Sequence, residues 1–313
     1  MRKSFLTLIA CLLFLATSSF FVDATGQQKQ RAGKGGALGT PVLWREPSDI
    51  ASRNLYLGPG GEAMKPDLSK VILIEEKESA ASAKLRVRDG SGREWIVKAG
   101  GEAQSEVAAD RITWALGYFT DVTYFVPRVE IEGKGALDNA RFEARPKGIK
   151  RLDEWMWDDN PFIGKIELQG LKVLLVLLDN WNLKNENNKV LFVREDEAGT
   201  SELRYIVSDF DMKFDKTGAS PAFWHQIRDN TATKPKFIEK TRDNFVDFGY
   251  MGKHKERLAD ISVAQAKWIG TCLARLSDQQ FRDAFRAANY RPDEIQLLEK
   301  TVRARINDLV NLR

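Results

Sequence analysis

This chain nearly lacks the residues that staple or metallate a small scaffold: its 313 residues include 2 cysteines and 2 histidines. Cys11 falls in an N-terminal apolar run, so Cys272 stands alone once that run is removed, and no intramolecular disulfide is expected. The fold must therefore stand on its core. An exported chain without a disulfide suits a bacterial periplasm or cell surface better than a disulfide-dense extracellular module. Cys272 lies on an apolar helical face and reads as a buried, inert thiol. His225 and His254 are far apart and, with one cysteine, make no zinc set; each reads as a surface or packing residue. Charge of one sign is also missing. The 48 Lys and Arg residues against 44 Asp and Glu leave +4, not the concentrated basic face of a nucleic-acid binder. There is no internal repeat.

The N-terminus carries the order of a secretory signal: Arg2 and Lys3, an apolar stretch from Phe5 to Val22, then Asp23-Ala24-Thr25. Residues 1–24 are assigned to that signal. The apolar stretch is also long enough to serve as an uncleaved anchor. Residues 25–65 form a flexible tether and lead-in, Gln- and Gly-rich to about residue 40, then turn-rich at Leu57-Gly58-Pro59-Gly60-Gly61.

From Lys70 the pattern is that of strands. Val71 to Ile74 is a short apolar run, and residues 84–98 alternate around the turn Asp89-Gly90-Ser91-Gly92 as a hairpin. A helix follows, with Ala103, Val107, Ala108, Ile112 and Ala115 on one side and Gly117 as its stop. Strands are expected over 123–131 and 140–144, and Pro146-Lys147-Gly148 breaks the chain. Beyond the break, Ile166 to Leu178 is apolar nearly all round, the signature of a buried central helix. Strands at 190–193 and 203–207 flank a turn. Three helices close the chain, from Ser262, from the capping-box pair Ser277 and Gln280, and from Pro292. Trp155, Trp157, Trp181 and Trp224 are read as core aromatics before any sugar-binding face.

Two segments carry chemistry. Asn182-Leu183-Lys184-Asn185-Glu186-Asn187 is a polar loop after the apolar helix, and Tyr205-Ile206-Val207 delivers Ser208-Asp209-Phe210-Asp211 at a strand end. Asn187 offers an amide oxygen and Asp209 a carboxylate, both suited to a hard cation that keeps waters. Upstream, Lys98 ends a strand and Glu106 lies in the next helix, with Glu102 an alternative partner. A lysine held by a helix carboxylate can be aimed at phosphate oxygens. The bland alternatives are an Asn-rich turn and a solvated charge pair.

These segments resemble the catalytic loop D-L-K-x-x-N and the metal-binding D-F-G of protein kinases, with Lys98 and Glu106 resembling the strand-lysine and helix-glutamate pair. The short lysine-to-glutamate spacing is more similar to atypical kinases, whether HipA-like, phosphatidylinositide-kinase-like or secretory. The resemblance implies an α+β, two-lobed fold: a strand-rich first lobe with one helix over 66–145, and a mainly helical second lobe over 146–313. It implies ATP with Mg²⁺ or Mn²⁺ as the ligand, with Lys98 and Glu106 toward the nucleotide and Asn187 and Asp209 on metal. Asn182, Lys184 and the nearby Asp179 are the candidates around the transferred group. Phe142 to Pro146 would link the lobes, with adenine contacts from the backbone of Glu143 to Arg145.

Three departures qualify what the resemblance implies. Asn182 stands where the family has an aspartate base, Asp211 stands where it has glycine, and residues 75–83 contain no glycine to cover phosphates. Transfer of phosphate or of the nucleotide to a hydroxyl is thus one expectation. A catalytically weak relative acting as an interaction module is a second, and a surface-binding protein with no nucleotide site a third. The acceptor, protein or small molecule, is not legible. No nucleic acid is implied, nor any membrane span after signal cleavage.

Overall fold

A computed structural model describes residues 39–77, 83–180, 183–194, 200–210 and 236–313. Residues 1–24, expected to be a signal, and Trp181, Asn182, Asp211, Trp224 and His225 lie outside these residues.

The first lobe is an antiparallel sheet built from β2 (Ile72–Lys77), β3 (Lys84–Arg88), β4 (Glu94–Ala99), β5 (Thr123–Ile131) and β6 (Gly135–Ala144), after a short β1 (Thr40–Val42). Its spatial order is β2-β3-β4-β6-β5. The hairpin turn between β3 and β4 is tied by Asp89, whose Oδ1 accepts the N–H of Ser91 at 3.0 Å and of Arg93 at 2.9 Å. Helix α1 (Glu102–Ala115) joins β4 to β5. It stops where expected: Gly117 adopts φ +96°, and a Cβ there would meet the Arg45 carbonyl.

β6 is longer than the 140–144 expected. Gly133 and Gly135, both at positive φ, turn the chain so that Gly135 pairs with Ile131, and residues 135–139 are recruited by pairing with β5, with Leu137 packing against the apolar core of the sheet. β2 begins one residue later than the apolar run and continues through Glu75-Glu76-Lys77 because β3 offers partners there.

The second lobe holds β7 (Ile149–Arg151), α2 (Ile166–Leu177), a 3-10 turn (Asn185–Asn187), β8 (Asn188–Arg194) and β9 (Ser201–Val207). The hairpin β10 (Ile238–Arg242) and β11 (Phe245–Phe248) precedes helices α3 (Val263–Ala274), α4 (Asp278–Ala287) and α5 (Pro292–Val310). Every α2 residue from Leu168 to Leu177 is buried, as a helix apolar nearly all round demands, and its two polar members, Gln169 and Lys172, reach Asp260. Capping boxes open α3 at Ser262 and α4 at Ser277, and Pro292 starts α5. The architecture is the α+β, two-lobed one expected, with more strand in the second lobe than its helical character suggested.

The lead-in is packed from residue 40 onward. β1 runs parallel to β9, extending the sheet β1-β9-β8-β7. Leu43, Ile50 and Leu55 enter the same core as α2 and the C-terminal helices, and Gln280 Nε2 donates to the Ile50 carbonyl at 2.7 Å. Trp155 and Trp157 are buried with ring centroids 4.6 Å apart. Burial pushes the Cys272 thiol up to about 11, so it stays protonated and inert.

Candidate active site

The site grows from strand register. Lys84, Lys98 and Arg141 are direct cross-strand partners on β3, β4 and β6, so one face of the sheet carries three cations in a row. Like charges placed opposite one another repel. The row must be neutralised from elsewhere, and three carboxylates converge on it. Glu106 of α1 places Oε2 at 2.7 Å from Arg141 Nε, both side chains being 1% exposed. Glu143, two residues along β6, receives Arg141 Nη2 at 3.2 Å. Asp209, just after β9, accepts from Lys98 Nζ at 2.7 Å although 111 positions separate the two in the chain.

The electrostatics follow from that crowding. Burial favours a protonated Asp209, yet the hydrogen bond from Glu106 and the charges of Lys98 and Arg141 outweigh it and hold the carboxyl well below the usual range. Burial raises Glu106 well above its ordinary value; Arg141 opposes the rise and the negative Asp209 adds to it. Of this adjacent pair, then, Glu106 is the weaker acid and Asp209 the stronger. Burial works against the charge on Lys98, but Glu106 and Asp209 restore it. Burial lowers the Lys84 ammonium, and the neighbouring Lys98 lowers it further.

Asn187 closes the 3-10 turn, and its carbonyl accepts the N–H of Ser208 at 2.7 Å and of Asp209 at 3.3 Å. Lys98, Glu106, Asn187 and Asp209 are thus brought together. Glu106, expected to partner Lys98, sets its carboxylate on Arg141 and lies near enough to Lys98 to favour its charge, while Lys98 donates directly to Asp209. Asp179 adopts φ +52° at the end of α2, and its two carboxylate oxygens receive Arg305 of α5 at 3.1 and 3.2 Å, a tie between helices. Lys184 is half-buried at the entry to the 3-10 turn. Asn182 lies outside the described residues.

The link between lobes needs a correction. The N–H groups of Ala144 and Arg145 are engaged by the carbonyls of Val122 and Glu94 at 2.9 and 3.0 Å. They complete the sheet, so they are not the adenine donors expected of 143–145.

Sequence reasoning missed Lys84, Arg141 and Glu143. A signal existed for the last two: Arg141, Glu143 and Arg145 alternate with the buried Ala140, Phe142 and Ala144 at strand period. Asp121, Arg151 and Ser208, which meet beside Asp209, gave none.

Other features carry less chemistry. Two surface hollows of about 730 and 490 Å³ lie elsewhere, one between α4 and α5 and one beside the β10–β11 hairpin. His254 is half-buried, with Nδ1 3.2 Å from Glu256. Among the described residues no group of three or more His, Cys, Asp or Glu side chains is placed to hold a metal, and no helix is long and apolar enough to cross a membrane.

A half-buried lysine, a buried helix carboxyl and a strand-end aspartate lie beside an Asn turn, a polar cluster suited to anions and hard cations. No protein-family model and no curated protein matches the chain. Among solved structures it is similar to a Helicobacter pylori proinflammatory kinase, CtkA, at 12% identity over 78% of this chain and 95% of that one, with a TM-score of 0.47. It is also similar to the Golgi casein kinase at 8% identity over 82% of this chain and 75% of that one, TM-score 0.27. A form of that kinase with Mn/ADP bound matches at 8% identity over 81% and 74%, TM-score 0.28. At such scores the likeness decides nothing about what this chain does. The residues of the cluster must.

Proposed function

We propose that this cluster binds a nucleoside polyphosphate, ATP foremost, together with Mg²⁺ or Mn²⁺, and that the chain is a kinase-like phosphotransferase acting on a hydroxyl. The observation that supports this reading is the Lys98–Asp209 contact of 2.7 Å, with Glu106 buried behind it. A cation and a carboxylate so held can each exchange partners, the lysine taking phosphate oxygens and the aspartate a metal ion.

The donor set fits a magnesium-type ion. Asp209 is held ionised, and Asn187 is fixed to it through the backbone. Both offer hard oxygens, and without an all-protein cage the ion would keep waters or phosphate oxygens as ligands, as Mg²⁺ prefers. Bound there, the ion would neutralise charge on the phosphate oxygens during transfer. Lys98 binds phosphate, and Lys84 on the adjoining strand adds a second cation where residues 75–83 supply no glycine cover. Arg141 and Glu106 hold that pair in place from behind.

In transfer the bond from phosphorus to the bridging oxygen breaks, a bond to the acceptor oxygen forms, and the hydroxyl proton must leave. Asn182 cannot take that proton, and loss of a general base slows such reactions by about 10²–10⁴-fold. That one substitution favours a second reading, in which nucleotide is bound with little turnover. Export to the periplasm or cell surface belongs to the same proposal and is checked by N-terminal sequencing of the mature protein.

The deciding experiment is calorimetry and thermal denaturation with ATP and Mg²⁺ or Mn²⁺. The proposal expects a metal-dependent rise in melting temperature that Asp209→Ala abolishes. An unchanged wild-type melting temperature at millimolar ATP and metal would reject it.

A further inference from the structure

Three side chains from separate segments close a ring next to Asp209. Arg151 ends β7, just past the link between lobes. Asp121 lies between α1 and β5 in the first lobe, and Ser208 immediately precedes Asp209. Arg151 donates to Asp121 Oδ1 at 2.5 Å and to Ser208 Oγ at 2.5 Å, and the Ser208 hydroxyl donates to Asp121 Oδ2 at 2.6 Å. The hydroxyl is therefore oriented by both neighbours, accepting from one and donating to the other. Asp121 is 5% exposed, and a carboxylate so buried needs its cation. Arg151 also lies 3.6 Å from Glu143, the carboxylate that receives Arg141.

This ring does more than cross-brace two lobes. Ser208 sits between the ring on its side-chain face and the Asn187 carbonyl on its backbone face, at 2.7 Å. The backbone leading to Asp209 is thus fixed from the first lobe and from the 3-10 turn at once. We propose that Asp121, Arg151 and Ser208 are positioning residues that latch the lobes together and set where Asp209 presents its carboxylate. The latch is a claim about this geometry; its effect on ligand affinity rests on the nucleotide-binding reading above.

Two measurements on the full chain test it, using Ser208→Ala, Ser208→Thr, Asp121→Asn and, as a remote core control, Ile306→Val in α5. The first is hydrogen exchange over residues 203–210. Loss of an ordinary hydrogen bond is worth about five- to tenfold in local opening, so Ser208→Ala and Asp121→Asn should speed exchange there by that factor. Ser208→Thr should match wild type, and Ile306→Val should leave the segment unchanged. Equal exchange in Ser208→Ala and wild type, or equal acceleration in the control, would overturn the latch.

The second is the ratio of ADP dissociation constants without and with Mn²⁺. Ser208→Ala should shrink that ratio about five- to tenfold while metal-free ADP binding holds, and Ser208→Thr should restore it. A ratio unchanged in Ser208→Ala would overturn the positioning role. Should the wild-type chain bind no ADP, the function proposed above fails, and the exchange comparison still decides the latch.

Discussion

The two faces of the five-stranded sheet are made by the same strands and have opposite contents. On one, Leu85, Val87, Trp95, Val97, Tyr124, Val126 and Phe142 form a core of their own. On the other, Lys84, Lys98, Arg141 and Glu143 face α1 and the second lobe. Alternate residues of β4 and β6 belong to each, since strand side chains point to opposite sides. The apolar face is stabilised by burial, which is tolerant of shape changes within limits. The charged face holds charges in low dielectric, where each is favourable only while its partners remain. One face gives stability, and the other keeps a charged site in place.

Four experiments break or sharpen this contrast. The largest effect concerns what the charged face does not supply, a proton acceptor. Asn182→Asp should raise phosphate transfer by about 10²–10⁴-fold if the base is the missing element. Radiolabel transfer from ATP reads this out, and an unchanged background rate in a variant that binds ATP would place the fault elsewhere.

Next comes Arg141→Met, which removes the shared partner of Glu106 and Glu143. It should cost about 3–5 kcal/mol, whereas Leu85→Met on the apolar face should cost under about 1.5 kcal/mol. Urea denaturation measures both; equal losses would erase the distinction between the faces.

A pH series gives a third handle. Asp110 of α1 is fully buried, with Oδ2 accepting from Thr123 Oγ1 at 2.7 Å, and burial raises its carboxyl to about 8. The folded state then holds this proton longer than the unfolded chain does. Its contribution to stability is complete below about pH 4 and is lost as pH rises to about 8, at up to about 1.4 kcal/mol per pH unit. Asp110→Asn should flatten that part of the stability–pH curve. A slope identical to wild type between pH 5 and 8 counts against the raised value.

The smallest effect is expected for Lys84→Met. Lys84 is more exposed than Lys98, so its loss should weaken ADP binding by less than about tenfold and leave adenosine binding unaltered, with the difference fading at high salt. Equal weakening of both ligands would remove Lys84 from the phosphate end.

Much of the molecule was legible as local pattern. The hairpin at 84–98, the helix ending at Gly117, the buried α2 and the capping box at Ser277 depend on residues a few positions apart. The extension of β6 back to Gly135 was not legible, because Gly135 to Asn139 have little strand character and form a strand only against β5. At the site, the interval from Asn182 to Asn187 and the strand delivering Asp209 could be read, as could Lys98 and Glu106. Which carboxylate meets which cation could not: Glu106 goes to Arg141, and Asp179 is taken by Arg305 of the last helix.

The sequence by itself determined most strands and helices in their order, though not β1, β7, β10 or β11, together with the apolar stripes and the presence of a lysine, a carboxyl, an amide and an aspartate in a suggestive order. Periodicity and turn chemistry act over a few residues, so they are written locally. Only the tertiary structure decided that Lys98 lies against Asp209, that Arg141 sits between Glu106 and Glu143, and that Ser208 is held by Asp121 and Arg151. A buried charge selects its neighbours by distance and desolvation across the whole packed chain, and no short window of sequence contains that information.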